Sequence, residues 1–544
     1  MKAINTGRRR FLQHSALGTA LAAFPTVLLA GSNSIKRTAT VGFKADVEIE
    51  FISQPARIPI LTNGPATVVQ TYSAKLLKGP QQTLQTLPDN YLGPILNFQQ
   101  GQKVRIFYKN KLSESSIIHW HGLHVPQYSD GHPMYSIEPG EEFVYEFEVV
   151  NRAGTSFYHS HSHNLTAEQV YRGLAGMIAV SDNDEKKLEL PAGEFDLPLV
   201  IQDRSFDANN QLHYVRRMPE RMIGFLGDTI LVNGKPDAQF GVKSRAYRFR
   251  TVNGSNSRIY KLGWDDGTPL TAIGTDGCIL AKPESRPYIM LAPGERVDLW
   301  LDFSGRPVGS KLVMYSLPFS GTLPIMADRG GMSMMRSRFP QGSKFPIATF
   351  EVVEKLGDSP KLPVTLVPFE RLTLKDVDNT DAPLPIAISM APMQPLLGGK
   401  SFSLDKVMDF ERVKLGSIKL IHIYHDHAGG GHRGMGMQHR KGGEHGGMGM
   451  GGMNGGMMDM AHPIHLHGQQ YQILRRLTDD VRSKDYETVK NGFIDTGWKD
   501  TVLVMPGEEV HIIKPFQDYK GLFLYHCHNL EHEDLGMMRQ FLIE

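Results

Sequence analysis

Near the C-terminus, His526-Cys527-His528, then His532 and Met537, place one potential thiolate among three imidazoles and a thioether. Two imidazoles, a thiolate and a weak axial Met are the ligand set of a blue, type 1 copper centre. Cys527, His532 and Met537 occupy relative positions zero, five and ten of one short loop, close enough to converge on a single ion. His526 and His528 are not needed by that ion. In extended chain, neighbouring side chains point to opposite faces, so these two turn away from Cys527 and serve a second metal site behind it.

Further His-x-His pairs supply the rest of that second site. His119-Trp120-His121-Gly122, His159-Ser160-His161 and His462-Pro463-Ile464-His465-Leu466-His467-Gly468 add seven imidazoles. A single His-x-His on a strand is commonly a surface feature, whereas four such clusters, one built around a cysteine, form a metal-binding set. With these motifs the chain resembles the multicopper oxidases over essentially its whole length beyond the leader. The resemblance implies four copper ions. It assigns His462, Cys527, His532 and Met537 to type 1 copper and His119 and His465 to type 2. His121, His159, His161, His467, His526 and His528 match the type 3 pair. His124, His132 and His163 fall outside the pattern and are expected to be supporting or surface histidines.

The implied reaction reduces dioxygen to water, which takes four electrons and four protons. Because imidazoles bound to copper cannot supply those protons, carboxylic acids are needed nearby. Glu533 directly follows a ligand and Asp130 lies nine residues after His121. Both match acidic positions that deliver protons in the family.

The elements that must hold these residues read as strands. Phe143, Tyr145, Phe147 and Val149 alternate with Val144, Glu146 and Glu148; Val297, Leu299, Leu301 and Phe303 alternate with Asp298, Trp300 and Asp302. Period two with turn signals predicts β-sandwiches. Each strand starts just after Pro-Gly-Glu, at Pro139 and Pro293, and a third copy at Pro506 precedes Val510-His511-Ile512-Ile513. A unit repeated three times predicts three related domains. His159 and His526 each lie 20 residues beyond their Pro-Gly-Glu, and Val313 holds that place in the middle repeat. The imidazole site therefore belongs between the first and third domains, with the middle one a spacer and wall. Family architecture gives the same all-β plan of three cupredoxin-like Greek-key β-sandwiches. The expected limits are 41–185, 190–360 and 365–544, after a leader at 1–40.

Composition agrees with an exported enzyme. Lys and Arg total 59 against 57 Asp and Glu, which leaves no field to attract nucleic acid. Of two cysteines, Cys527 is committed to metal and Cys278 is expected to be a small buried apolar residue, so no disulfide is predicted. Arg8-Arg9-Arg10-Phe11-Leu12 before a short, interrupted apolar run resembles a twin-arginine (Tat) export signal. It implies a periplasmic location, with no stable membrane association after leader removal; a monomer is expected.

One segment bears on the electron donor. From Gly429 to Met460, 32 residues contain fourteen Gly, eight Met and three His, and no Leu, β-branched or aromatic residue. Such a stretch cannot bury enough apolar surface to fold alone and is predicted to be a loop. Thioethers favour Cu(I). Asp459 and Met460 stand three and two residues before His462, where the resembling periplasmic cuprous oxidases bind substrate copper, although the acidic residue there usually sits one place earlier, at the position of Met458. Met332, Met334 and Met335 form a second cluster that could face the same entrance or lie in the core. The sequence thus predicts a multicopper oxidase that oxidises Cu(I) with O2 for copper tolerance. A laccase-like oxidase of small phenols and a copper-sequestering protein are the alternatives.

Overall fold

The computed structural model describes residues 37–215, 217–324, 337–391, 394–426 and 459–544. Residues 1–36 of the leader, the Met332 to Met335 cluster and all of the Met-rich segment except Asp459 and Met460 lie outside the described residues. Ile35–Glu544 form one compact unit.

Six β-sheets pair off along the chain as three sandwiches. In the first, Val47–Ile58, Thr67–Lys78, Lys103–Asn110 and Glu142–Glu148 form one sheet, and the other contains Ile118–His119, Gly154–Ser160 and Ala175–Ser181. Val104, Ile106, Tyr108, Phe143, Tyr145 and Phe147 meet between them around Trp120. The second sandwich is built on Asp196–Phe206, Ala246–Asn253 and Arg296–Asp302 against Lys311–Ser316 and Phe345–Glu354. The third packs Ser417–His425 and Glu509–Phe516 against His462–Leu466, Thr501–Val504, Gly521–Cys527 and Met538–Ile543. This is the expected all-β, cupredoxin-like plan.

In the period-two strands both faces are buried over most of their length, with Glu148 and Asp302 exposed at their ends. Glu146 is covered by Arg105, 2.7 Å away, and Asp298 by Arg248, 2.5 Å away. At Glu146 and Asp298 the acidic faces of these strands are ion-paired layers. Cys278 is buried and free, its thiol pushed up to about 11 by burial, as suits a small core residue.

Strand alternation separates the two metal-binding faces. Cys527, Ile464 and Leu466 point into the third sandwich core. Their neighbours His526, His528, His465 and His467 must point the other way. Register then brings pairs together: His119 lies opposite His159, and His465 opposite His526.

Candidate metal centre

Inside the third sandwich, His462 Nδ1 and His532 Nδ1 lie 3.4 and 3.8 Å from Cys527 Sγ. The three donors converge. Met537 is fully buried in the same core and is tied into the loop, its backbone N–H donating to His532 O at 2.9 Å and its carbonyl accepting from Cys527 N at 3.1 Å. The Nε2 of His532 lies 2.9 Å from the Met222 carbonyl oxygen, which can only accept, so Nε2 carries the proton and Nδ1 offers its lone pair to the thiol side. Burial pushes the Cys527 thiol well above its ordinary range, so a cation is needed to hold it as thiolate.

The second group is an imidazole cage between the first and third sandwiches. His119 Nδ1 lies 2.6 Å from Asp130 O and His465 Nδ1 lies 2.9 Å from Asp500 O. Both protons are thereby fixed on Nδ1. The two Nε2 lone pairs consequently face each other at 3.3 Å, an arrangement that repels unless a cation lies between them. His467 and His526 repeat it: their Nε2 atoms are 3.2 Å apart, while His467 Nδ1 meets Asp130 Oδ2 at 2.8 Å and His526 Nδ1 meets Glu533 Oε2 at 3.0 Å. His161 Nε2 joins them, 3.4 Å from that of His526. His121 donates from Nε2 to Asp500 Oδ1 at 3.0 Å, and His159 from Nδ1 to Ser160 O at 2.9 Å. His121 Nδ1, His159 Nε2 and both His528 nitrogens are buried without a hydrogen-bond partner among the described residues.

Donor atoms cluster in the trios His119-His121-His465, His121-His159-His528 and His161-His467-His526. The rings pack tightly, with His119 stacked on His467 and His121 on His465, each at 3.7 Å. Burial, reinforced by neighbouring rings, pushes the imidazoles of His119, His121, His161, His467 and His528 well below their ordinary range. They are neutral at pH 7, the form that binds metal. Orphaned nitrogens, opposed lone pairs and neutral rings all fit copper.

Both sequence-predicted acids lie at the cage. Burial holds the Asp130 carboxyl well above the usual range, opposed by Lys514. Burial would also raise Glu533, but His526 and His161, the latter 3.5 Å from its Oε1, hold it well below. Of the histidines outside the pattern, His124 meets Asp518 at 3.0 Å, His132 meets Gln540 at 2.9 Å and His163 packs on Phe402. Asp459 and Met460 lead into His462; Met460 is buried, its carbonyl 3.1 Å from His425 Nε2, and the His425 ring lies 5.8 Å from that of His462.

Sequence reasoning missed Asp500, Arg296 and the Met222 carbonyl. Arg296 grips Asp500, and burial of Asp500 is more than offset by that guanidinium, which keeps the carboxylate well below its usual range. Nothing in local spacing marks these groups, because two of the three come from the middle sandwich. The view of that sandwich as a spacer and wall is corrected accordingly: its chain reaches both metal-binding groups.

Known proteins resemble this chain in sequence and in fold. Residues 68–185 and 453–544 match family models described as multicopper oxidase. A laccase of Bacillus stratosphericus is 30% identical, with the alignment covering 85% of this chain and 90% of the laccase. The multicopper oxidase mco of Staphylococcus aureus is 28% identical over 84% of this chain and 82% of its own. The crystal structure of McoA multicopper oxidase from Aquifex aeolicus superposes with a TM-score of 0.71 at 30% identity, covering 92% of this chain and 97% of that one. The chain belongs to the multicopper oxidase family and is an oxidoreductase.

Proposed function

We propose that this oxidase takes its electrons from Cu(I), releasing Cu(II), and that it serves copper tolerance in the periplasm after twin-arginine export. The balance is four Cu(I), one dioxygen and four protons giving four Cu(II) and two waters. The observation that carries the reading is the Met-dense stretch ending in Asp459 and Met460, which in sequence immediately precedes Ala461 and His462. The closure of the other ring supports it: the outer nitrogen of His532 is capped by the Met222 carbonyl, so a phenol has no free imidazole edge there. No helix among the described residues is long and apolar enough to cross a membrane.

In this reading His462, Cys527, His532 and Met537 hold type 1 copper, His119 and His465 type 2, and His121, His159, His161, His467, His526 and His528 the type 3 pair. Bound copper supplies one-electron acceptance at the thiolate site and the reduction of dioxygen at the cage. The chain's own contribution is threefold. Cys527 joins the two sites covalently, since His526 and His528 are its neighbours. Acceptors on the outer nitrogens of His119, His121, His159, His465, His467, His526 and His532 fix those rings' tautomers and aim. Asp130, beside His467 Nδ1 and raised by burial, holds a proton at the cage, and Glu533, kept as a carboxylate beside His526 Nδ1, takes up protons and passes them on for water formation. Asp459 and Met460 receive substrate Cu(I). We take the domain limits as 41–185, 190–360 and 365–544.

A laccase-like oxidation of small phenols is the second reading, favoured by the 30% identical laccase. Deleting Gly429 to Met457 separates the two. All twelve copper ligands and Asp459 and Met460 remain, so copper loading should persist. Cu(I) oxidation at low copper should fall while phenol oxidation rises; a rise in neither and a loss of both would contradict metal capture by this segment.

A further inference from the structure

We infer that Arg296, from the middle sandwich, is a positioning residue for the imidazole cage. The inference rests on the ligand reading above and gives chemistry to the sandwich that has no His-x-His pair. Arg296 immediately follows Pro293-Gly294-Glu295, and its side chain is fully buried. Its guanidinium grips Asp500 as a fork, Nη1 to Oδ1 at 2.7 Å and Nη2 to Oδ2 at 2.5 Å. Asp500 in turn accepts from His121 Nε2 through Oδ1 at 3.0 Å and from His465 Nδ1 through its backbone carbonyl at 2.9 Å.

The guanidinium is held independently of Asp500. Nε donates to Thr155 O at 3.2 Å, Nη1 to Gly294 O at 2.9 Å, and Nη2 to Asp276 O. Asp276 and Glu295 are pinned by Lys499 at 2.9 and 3.0 Å, so the mount is a charged lattice and not one flexible arm.

A second observation points to the same turn. Gly294 has φ +82°, and a Cβ there would stand 2.8 Å from His528 Cγ. Gly122, next to His121, has φ +94°, and a Cβ there would stand 2.4 Å from Arg296 Nη2. One turn of the middle sandwich therefore abuts His528 directly and reaches His121 and His465 through Asp500. An acceptor on a ligand's far nitrogen fixes its orientation and strengthens it as a donor; losing such a partner costs about 10- to 100-fold in metal affinity or activity. Only a planar fork holds a carboxylate by both oxygens.

The test uses copper-loaded wild type, Arg296→Met, Arg296→Lys and Asp500→Asn, dialysed against a graded chelator. Readouts are copper retained per chain, the type 2 EPR signal and the blue thiolate–copper band. Arg296→Met and Asp500→Asn should lose cage copper at about 10- to 100-fold lower chelator strength, with a changed type 2 signal and an unchanged blue band. Arg296→Lys should fall between, since it keeps the charge and loses the fork. If Arg296→Met fails to fold, Asp500→Asn decides, being nearly isosteric and leaving the bonds of Arg296 to Thr155, Gly294 and Asp276. Wild-type retention and signal in Asp500→Asn would overturn the inference alone. Wild-type protein that binds no copper at the cage would overturn the ligand reading and the inference with it.

Discussion

His119 and His465, from opposite ends of the chain, point their Nε2 lone pairs at each other across 3.3 Å while Asp130 and Asp500 carbonyls hold their protons on the far side. Two lone pairs facing each other at that distance suit a shared cation. Binding confined to the native state stabilises it by about 2.7 kcal/mol at a ligand concentration 100 times Kd. Adding copper to the apo-protein should therefore raise the thermal midpoint in a concentration-dependent way, as scanning calorimetry would register. A midpoint indifferent to copper would contradict the cage as a metal site.

Cys527→Ser should abolish the blue band and reduce turnover to background. A hydroxyl cannot supply the thiolate that joins the two sites, yet its size suits the same buried position. Circular dichroism should remain native, and retained oxidase activity would count against the assignment.

Glu533→Gln should leave the blue band in place and slow reoxidation by dioxygen by about a hundredfold or more, the usual worth of a positioned acid. The amide keeps the shape beside His526 and His161 but cannot take up a proton and pass it on as the carboxylate can. Stopped-flow reoxidation at the wild-type rate would shift that role to Asp130 alone.

The buried Arg248–Asp298 pair makes a prediction about acid stability. Burial alone would raise the Asp298 carboxyl, but Arg248 holds it below its ordinary value. A carboxyl whose folded value lies below the unfolded one, about 3.9, contributes stability fully present above that pH and lost as pH falls through the folded value. Asp298→Asn should cost up to about 3–5 kcal/mol at pH 7, because it leaves the buried Arg248 guanidinium with Glu185 as its remaining ion-pair partner, and the deficit should shrink in acid. Denaturant melts at pH 7 and in acid measure both; an equal deficit at each would refute the linkage.

The residues that the structure gathers into the two donor clusters were legible because candidate metal chemistry is written in local spacing. His-x-His on a strand puts two imidazoles on one face, and the residue between them, Trp120, Leu466 or Cys527, belongs to a core. The two carboxyls beside the cage, Asp130 and Glu533, were legible for the same reason, each close in sequence to one of its histidines. Arg296, Asp500 and the Met222 carbonyl were not, because their roles arise from contacts spanning 204 residues in one case and 310 in another. Periodicity likewise identified the strands but not what covers them: Asp298 alternates like a solvent-facing residue and is buried against Arg248.

The central claim is tested most directly by steady-state oxygen uptake of the fully copper-loaded enzyme with Cu(I) and, separately, with a simple phenol. The account predicts rapid uptake with Cu(I), four Cu(I) consumed per dioxygen, and much slower uptake with the phenol. Rapid uptake with the phenol and none above background with Cu(I) would contradict it.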